Sequence, residues 1–190
     1  MIAAHFEEHV QVVRQCADEV IPTADAITEL LRTVLDQGGR IFVCGNGGSA
    51  ADAQHFAAEL VGRFERVRRS LPAMALGADP TLITALANDL GFEAIFARQV
   101  DALATAEDVL VVLSTSGESA NAIAAAKAAR SIGCPVVAMT GRGPNALGAV
   151  ADVHLAVPSS IVARIQEVHG LVLHAIASAL EADLDDDGPL

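Results

Sequence analysis

The chain is organised around Gly45-Asn46-Gly47-Gly48-Ser49-Ala50-Ala51-Asp52-Ala53-Gln54-His55-Phe56-Ala57-Ala58-Glu59. Residues 40–44, directly before it, form a short apolar run that predicts a buried strand, and the alanine-rich residues after the glycines predict a helix. Where a strand leads through a glycine loop into a helix, the free N–H groups of the first helical turn can bind an anion. His55 and Glu59 are four residues apart, so they share one face of the predicted helix. This unit therefore combines a candidate anion site with two side chains that can bind a metal ion or transfer protons.

The composition bounds the class of protein. The chain has 190 residues, of which 52% are apolar, and 12 Lys and Arg against 24 Asp and Glu give a formal net charge of −12. An apolar fraction this high predicts a packed core rather than a disordered chain, and a chain of this length favours one domain. Since nucleic-acid binding depends on Lys and Arg contacts to phosphates, we expect no nucleic-acid partner.

The cysteines and the hydropathy pattern predict a cytoplasmic protein. Cys16, Cys44 and Cys134 are an odd number without the spacing of a metal site, so we interpret them as reduced thiols. The N-terminus lacks a basic segment followed by an apolar block, so we expect no signal peptide. No apolar run approaches the roughly 20 residues that span a bilayer, so we expect no membrane partner.

Apolar runs alternate with helical segments along the chain. Strands are predicted at 40–44, 71–76, 107–113, 135–140 and 153–157, and the helices include 3–20, 93–104, 119–131 and 162–182. This βαβα order predicts an α/β fold: a three-layer αβα domain of the flavodoxin-like, doubly wound type, with a five-stranded, mainly parallel sheet. We place one domain at 1–184, in which the N-terminal helical arm of 1–37 serves packing and oligomerisation, and a disordered acidic tail at 185–190.

The predicted first helix carries an apolar stripe at alternating steps of four and three residues. Its members are Phe6, Val10, Val13, Ala17 and Val20. Such a stripe packs along another helix, either within the chain or on a second subunit, and the sequence leaves both possibilities open. We expect Pro22 to end this helix and Thr23 to be the N-cap of the next.

A second polar loop follows the strand at 107–113. It offers four hydroxyl groups beside the start of the helix 119–131, from Ser114, Thr115, Ser116 and Ser119. Hydroxyls combined with the N–H groups and positive dipole end of a helix start suit a phosphate group, although the same residues can act only as helix caps. Because both polar loops follow strands, we expect them at the same edge of the sheet, where doubly wound proteins bind ligands.

The remaining candidates are charged or ionisable side chains. His174 lies in an apolar part of the C-terminal helix, either as a hydrogen-bonded core histidine or as a partner of His55 and Glu59 in binding a divalent metal such as zinc. His55 and Glu59 can equally be an ordinary surface pair. A basic cluster predicts either a solvated loop or a local positive field for a small anion. It consists of Arg63, Arg66, Arg68 and Arg69.

Four segments resemble the phosphoheptose isomerases (sedoheptulose 7-phosphate isomerases), a family with the sugar isomerase (SIS) fold: 45–64, Asn88-Asp89, Ser114-Thr115-Ser116-Gly117 and 163–169. The resemblance covers essentially the whole chain. It implies that the sugar phosphate is bound by Asn46, Gly47, Gly48, Asn88, Asp89 and Gln166, and that its phosphate group is held by Ser114, Thr115, Ser116 and Ser119. It also implies one zinc ion per subunit, bound by His55, Glu59, Gln166 and His174.

The resemblance implies an isomerase that converts sedoheptulose 7-phosphate into D-glycero-D-manno-heptose 7-phosphate through an enediol, for the synthesis of nucleotide-activated heptose. Glu59 would be the base that acts on carbon and His174 the acid that acts on oxygen, while zinc would polarise the carbonyl group. The family is a homotetramer with active sites at subunit interfaces, which suits the apolar stripe of the first helix.

The spacing of two implied zinc ligands raises a question about their arrangement. Gln166 and His174 are eight residues apart, roughly 12 Å along one helix and about 80° around it. Either the helix bends at its entrance, or the two side chains at one site come from different chains. Two departures from the family pattern, Glu118 and Ile161-Val162-Ala163, affect the expected substrate contacts.

The alternative function is that of a non-catalytic SIS protein, which binds phosphosugars or the replication initiator DnaA as a regulator. The DnaA-binding relative lacks the carboxylate and the histidine that correspond to Glu59 and His174. Both are present here, which favours the enzyme. An arabinose 5-phosphate isomerase fits the signature from Gly45 to His55 less well.

Overall fold

The computed structural model describes residues 1–182 and 184, so the acidic tail predicted at 185–190 lies outside the described residues. The sheet has five strands in the order β2-β1-β3-β4-β5, and all four pairings are parallel. The strands are β1 (Ile41–Gly45), β2 (Ala73–Ala75), β3 (Val109–Ser114), β4 (Val136–Thr140) and β5 (Val153–Ala156). The predicted fold class is confirmed, and the strand order is that of flavodoxin-like proteins.

The helices flank this sheet. They are α1 (Ile2–Gln15), α2 (Val20–Asp36), α3 (Gly48–Val61), α4 (Pro80–Leu90), α5 (Ala97–Leu103), α6 (Ala120–Ser131) and α7 (Val162–Ala182). Among the described residues, no helix is both long enough and apolar enough to cross a bilayer. The three cysteines are buried and their thiols are free.

Both faces of the sheet are covered, which explains the continuous apolar runs of the sequence. In β3, Val109, Val111 and Leu113 belong to the core formed with α2, α3 and α7, whereas Leu110 and Val112 belong to the core formed with α5 and α6. All five side chains are at most 1% exposed. A strand buried on both faces has no position for a solvated polar residue, so its sequence does not alternate.

The helices before and after Gly91 show one confirmed and one altered prediction. Helix α4 begins as expected, because the Asp79 carboxylate accepts the N–H groups of Thr81 and Leu82 and Pro80 occupies the first helical position. The helix predicted at 93–104 is instead divided into a 3₁₀ turn, Phe92–Ala94, and the shorter α5.

The N-terminal helices differ from the prediction between residues 15 and 23. The predicted helix 3–20 is wrong, since α1 ends at Gln15 and α2 already begins at Val20. Pro22 lies in the first turn of α2, where a missing N–H removes no helical hydrogen bond. Thr23 is not an N-cap, because its Oγ1 donates a 2.8 Å hydrogen bond back to the carbonyl oxygen of Glu19.

The apolar stripe of the N-terminal helices is only partly covered. Val20 is 3% exposed and belongs to the core, whereas Phe6 and Val10 on α1 are 69% and 43% exposed. The outer half of the stripe therefore faces solvent in the described part of the chain, and α1 is an arm with a free apolar side.

An ion pair fastens the amino edge of the sheet. Arg40 and Asp108 directly precede β1 and β3, their Nη2 and Oδ2 atoms are 3.0 Å apart, and the Asp108 side chain is 2% exposed. The Asp108 carboxylate also accepts the backbone N–H groups of Arg40 and Thr105. Burial alone would raise the pKa of Asp108, but these donors outweigh burial and lower it. This pair is remote from the polar loops, which lie at the opposite edge.

Candidate active site

The two polar loops meet where the strand order reverses. The chain leaves β1 toward β2 on one side and continues through β3 on the other, so the loops after β1 and β3 adjoin at the carboxyl edge of the sheet. The side-chain amides of Asn46 and Asn121 exchange two hydrogen bonds of 2.8 and 2.9 Å, which link the glycine loop to the first turn of α6. Asn121 was not predicted as a site residue, because its partner is 75 residues away in the chain.

The glycine loop brings α7 close to the start of α3. Gly47 has a positive φ of 57°, a conformation that favours glycine. A Cβ atom on Gly48 would lie 2.3 Å from Nε2 of Gln166, so the Gln166 side chain occupies the space that a larger residue at position 48 would need. The structure therefore brings the predicted substrate residues Gly47, Gly48 and Gln166 to one place.

The serine loop, residues 114–119, presents hydroxyl groups beside the start of α6. The Oγ atoms of Ser114 and Ser119 lie 3.3 Å apart. Ser119 is the N-cap residue of α6, but its side chain makes no capping hydrogen bond, so the cap-only interpretation fails for this serine. Ser116 Oγ accepts the N–H of Glu118 over 3.1 Å and thereby shapes the turn. Two adjacent hydroxyls beside helix N–H groups that Ser119 leaves uncapped suit a phosphate group.

The loop after β4 supports the serine loop. The carbonyl oxygen of Thr115 accepts the N–H of Gly141 over 3.1 Å. The carboxylate of Glu118 accepts the N–H of Ala146 over 2.9 Å. Glu118 is one of the departures from the family pattern. Because its carboxylate is hydrogen-bonded to the supporting loop, the repulsion that it would exert on a phosphate is reduced.

Glu59 and His174 lie on different helices and meet at His55. His55 Nε2 is 2.9 Å from Glu59 Oε1, and the rings of His55 and His174 have centroids 5.0 Å apart at an interplanar angle of 77°. The ring of Phe64 stacks on His174 with centroids 5.3 Å apart. Glu59 and His174 are both half-buried. The arrangement places a carboxylate and imidazoles together in a partly enclosed position, where they can exchange protons with a ligand.

Asp52 is a further candidate that was not predicted. It lies three residues before His55 on the same face of α3. Its Oδ2 atom is buried and has no hydrogen-bond partner among the described residues. Burial raises the pKa of Asp52, while the positive charges of His55 and His174 oppose that rise in part. The spacing of three residues from His55 was the signal in the sequence that could have identified it.

Three of the predicted metal ligands are side chains of the types that bind zinc. Zinc accepts imidazole and carboxylate ligands, and His55, Glu59 and His174 provide them as neighbours. Over residues 1–182 and 184, however, no three His, Cys, Asp or Glu side chains lie close enough together to hold an ion. Gln166, the fourth predicted ligand, lies inside α7 and against the glycine loop, so it does not join the other three within one chain.

Asn88 and Asp89 lie apart from both polar loops within this chain. They are exposed at the end of α4, where Asn88 Nδ2 donates a 2.8 Å hydrogen bond to Asp89 Oδ1. In the described part of the chain, neither side chain is bonded to the glycine loop or the serine loop. Helix α4 itself has no buried residue, and its Leu82 and Leu90 are exposed. The structure therefore leaves this predicted part of the site unassembled.

Two arginines of the basic cluster are structural. The guanidinium of Arg68 is buried, donates to the carbonyl oxygens of Glu59 and Leu60, and pairs with Glu181 over 2.9 Å. Arg66 Nη1 donates to the carbonyl oxygen of Glu181 at the end of α7. Both interpretations, a solvated loop and an open positive field, are wrong for Arg68, because it is buried and tertiary contacts use its donors. Arg66 is exposed, as a solvated loop predicts, but it is also bonded to the end of α7.

Comparison with known proteins gives the family. The model of the SIS domain family matches residues 4–141. The phosphoheptose isomerase of Methylibium petroleiphilum is 49% identical over 187 residues, which cover 96% of this chain and 93% of the relative. The phosphoheptose isomerase of Bordetella avium is 46% identical over 189 residues, which cover 98% of this chain and 96% of the relative.

Solved structures agree with these relatives. The phosphoheptose isomerase of Neisseria gonorrhoeae matches with a TM-score of 0.90 at 43% identity, over 95% of this chain and 97% of that chain. A phosphoheptose isomerase from Francisella tularensis matches with a TM-score of 0.91 at 38% identity, over 94% of this chain and 95% of that chain. The chain therefore belongs to the SIS domain family and, within it, to the phosphoheptose isomerase enzymes.

Proposed function

We propose that the enzyme converts sedoheptulose 7-phosphate, a ketose, into D-glycero-D-manno-heptose 7-phosphate, an aldose, for the synthesis of nucleotide-activated heptose. The proposal rests on one observation: the Glu59 carboxylate and the His174 imidazole both lie next to the His55 ring. Membership of the phosphoheptose isomerases supports a heptose phosphate as the substrate class.

The serine loop is the proposed site of the phosphate group. Ser114 and Ser119 supply adjacent hydroxyls, and the start of α6 supplies N–H groups and a positive dipole end, which together favour an anion. Asn46 and Gln166 have amide groups that both donate and accept hydrogen bonds. They lie at the neighbouring glycine loop, where such groups can bind the hydroxyls of the sugar.

The proposed reaction moves one proton between adjacent carbons. Glu59 removes a proton from C1 of the ketose while His174 donates a proton to the carbonyl oxygen on C2, and the product of this step is the enediol. Glu59 then returns its proton to C2, and the hydroxyl on C1 gives its proton back to His174, which yields the aldose. Acid–base catalysis of this kind accelerates each step by about 100- to 10,000-fold.

Turnover of sedoheptulose 7-phosphate tests the proposal. The purified protein should produce an aldose phosphate, visible as new anomeric signals in NMR spectra. Glu59→Gln keeps the shape of the side chain but removes the base, so we expect kcat to fall about a thousandfold while the circular dichroism spectrum is unchanged.

The matched control is Glu107→Gln, the same chemical change at an exposed residue just before β3, at the opposite edge of the sheet. It should keep full activity. Full activity of Glu59→Gln would exclude Glu59 as the base, and a wild-type protein without turnover would reject the proposed function.

We also propose one zinc ion per subunit, held by His55, Glu59, Gln166 and His174. When bound, zinc would polarise the substrate carbonyl group. Prolonged treatment with a chelator should lower both the zinc content, measured by atomic absorption, and kcat, and added zinc should restore both. His55→Ala should bind less zinc than the wild type, since it removes an imidazole ligand. Full turnover by metal-free protein would contradict this assignment.

The close contact between Gly48 and Gln166 predicts a defect in substrate binding. In Gly48→Ala, the new Cβ would displace the Gln166 side chain, whose Nε2 is 2.3 Å from that position. We expect KM for the sugar phosphate to rise about fivefold, the effect of about one lost hydrogen bond. Gly170→Ala is the control, because a Cβ there would meet nothing within 4 Å and should leave KM unchanged. An unchanged KM in Gly48→Ala would argue against Gln166 as a substrate residue.

The active site is, in our proposal, completed across a subunit interface of a homotetramer. Gln166 and His174 lie about 12 Å apart along a single helix, so different chains are the simpler source of the two groups at one site. The exposed apolar residues Phe6 and Val10 on α1, and the lack of buried residues in α4, leave surfaces that a second subunit can cover.

Two variants, each of which removes a proposed zinc ligand and with it turnover, test this arrangement. Gln166→Ala and His174→Ala chains are co-expressed so that mixed oligomers form, and sedimentation equilibrium measures their size. If one site takes Gln166 and His174 from different chains, random mixing restores about a quarter of the sites. If both come from one chain, every site carries a substitution and the mixture stays inactive, which would refute the proposed interface.

A further inference from the structure

A group of side chains with a buried ion pair, Arg68 and Glu181, at its centre joins the two helices that carry the proposed base and acid. Glu59 lies near the end of α3, and His174 lies in α7. Unlike neighbouring strands, these two helices are not joined by a ladder of backbone hydrogen bonds. The turn that follows α3 is bonded to the last turn of α7. We name this group the clasp. It consists of Phe64, Arg66, Arg68 and Glu181.

Glu181 is the acceptor at the centre of the clasp. Its carboxylate accepts the backbone N–H groups of Phe64, Glu65 and Arg66 over 2.7, 2.9 and 3.0 Å. It also lies 2.9 Å from Arg68 Nη2, and both side chains are 1% exposed. Burial alone would raise the pKa of Glu181, but the backbone donors and Arg68 outweigh burial and lower it. The ionised carboxylate therefore holds the turn after α3 against the last turn of α7.

Arg68 connects this carboxylate to the end of α3. Its guanidinium donates to the carbonyl oxygens of Glu59, Leu60 and Gly62 over 2.7, 2.9 and 3.0 Å. Carbonyl groups in the last turn of a helix have no partner within the helix, and a positive charge is favourable there. The planar fork of five donors can bridge these carbonyls and the Glu181 carboxylate, which a lysine cannot do. Arg68 thus fixes the backbone of Glu59 itself.

Phe64 extends the clasp to His174. The two rings stack with centroids 5.3 Å apart and an angle of 20° between their planes. His55 approaches the same imidazole edge-on from α3, with centroids 5.0 Å apart. The backbone N–H of Phe64 is bound by Glu181, so the position of the aromatic ring depends on the same carboxylate that pairs with Arg68.

We infer that the clasp positions the catalytic pair: the Arg68–Glu181 ion pair and the Phe64 ring hold the Glu59 carboxylate and the His174 imidazole at the separation that proton transfer requires. The inference rests on the proposed roles of Glu59 and His174 as base and acid. A displacement of about 1 Å can lower a rate about a hundredfold. Loosening the clasp therefore lowers turnover and leaves phosphate binding at the serine loop intact.

A buried ion pair also affects stability, so the test needs a control that lowers stability without touching the clasp. Asp108 provides it, because its side chain is 2% exposed and pairs with Arg40 at the opposite edge of the sheet. Arg68→Met removes one charge of a pair that is buried on both sides, which is strongly destabilising in general. Asp108→Asn removes the buried charge of a pair whose Arg40 side chain is 46% exposed, and it also removes a carboxylate oxygen that accepts backbone N–H groups, so it too lowers stability. The Asp108 variant thus shows what lost stability alone does to the kinetics.

The kinetic test compares these two variants with Phe64→Leu and Phe64→Tyr, each assayed well below its melting temperature. We expect kcat to fall about tenfold or more in Arg68→Met and Phe64→Leu, while KM and the inhibition constant of inorganic phosphate stay within about twofold. Phe64→Tyr keeps the stacked ring and should retain kcat, as should Asp108→Asn. Wild-type kcat in Phe64→Leu, or an equal fall of kcat in Asp108→Asn and Arg68→Met at equal melting temperature, would overturn the inference.

An NMR measurement tests the positioning without any assay. The Phe64 ring shifts the imidazole ¹H–¹³C signal of His174, which is assigned through its loss in His174→Gln. In Arg68→Met this signal should move toward its position in Phe64→Leu, and an unmoved signal would overturn the inference. If Arg68→Met does not fold, Arg68→Lys replaces it, since lysine keeps the charge but not the fork. A wild type without turnover but with the expected shifts would reject the proposed function alone.

Discussion

The candidate active site depends on α3 and α7 lying side by side in one fixed register. Gly48 faces Gln166, His55 faces His174, and the turn after α3 is bonded to Glu181, so the two helices run in the same direction and touch at three levels. Moving either helix by one residue would displace its side chains by about 1.5 Å along the axis and about 100° around it. Such a shift would break all three contacts together. The sheet supplies the edge at which the loops meet, but this helix pair decides which side chains face each other there.

Much of this architecture could be predicted because the sheet imposes a simple rule on its strands. A parallel strand that is covered on both faces is apolar along its buried length, as β3 is from Val109 to Leu113, and the polar residues from Ser114 onward then lie at the carboxyl edge. The break between α1 and α2 escaped prediction for an equally physical reason. A proline that ends a helix and a proline in the first turn of a helix look alike in sequence. Here Pro22 lies in the first turn of a helix, and Val20, the first residue of that helix, is buried in the core. Such burial is a tertiary effect that the local sequence does not reveal.

The parts of the site that escaped prediction are those whose partners are far away in the chain. The bonded amides of Asn46 and Asn121 are 75 residues apart, and the Glu181 carboxylate accepts an N–H 117 residues away at Phe64. Charged residues in a sequence indicate surface positions, since burial of a charge is unfavourable without a partner. Arg68 and Glu181 are buried because each is the other's partner, and no local pattern reveals that relation. Asp52 differs from them, because its spacing from His55 on one helix face is a local signal.

The place of Gln166 against the start of α3 also bears on the sign of the charge next to the glycine loop. The N–H groups of a helix start attract anions, yet the side chain that lies against Gly48, the first residue of α3, comes from α7 and is a neutral amide. Exchange of its NH₂ group for an oxygen atom, as in glutamate, would put a carboxylate into the same space and turn attraction into repulsion, with the glycine loop itself unchanged. The charge next to the glycine loop thus depends on a side chain of α7, the last helix of the described chain. The glycine loop and the residue at position 166 can therefore change independently of each other in evolution.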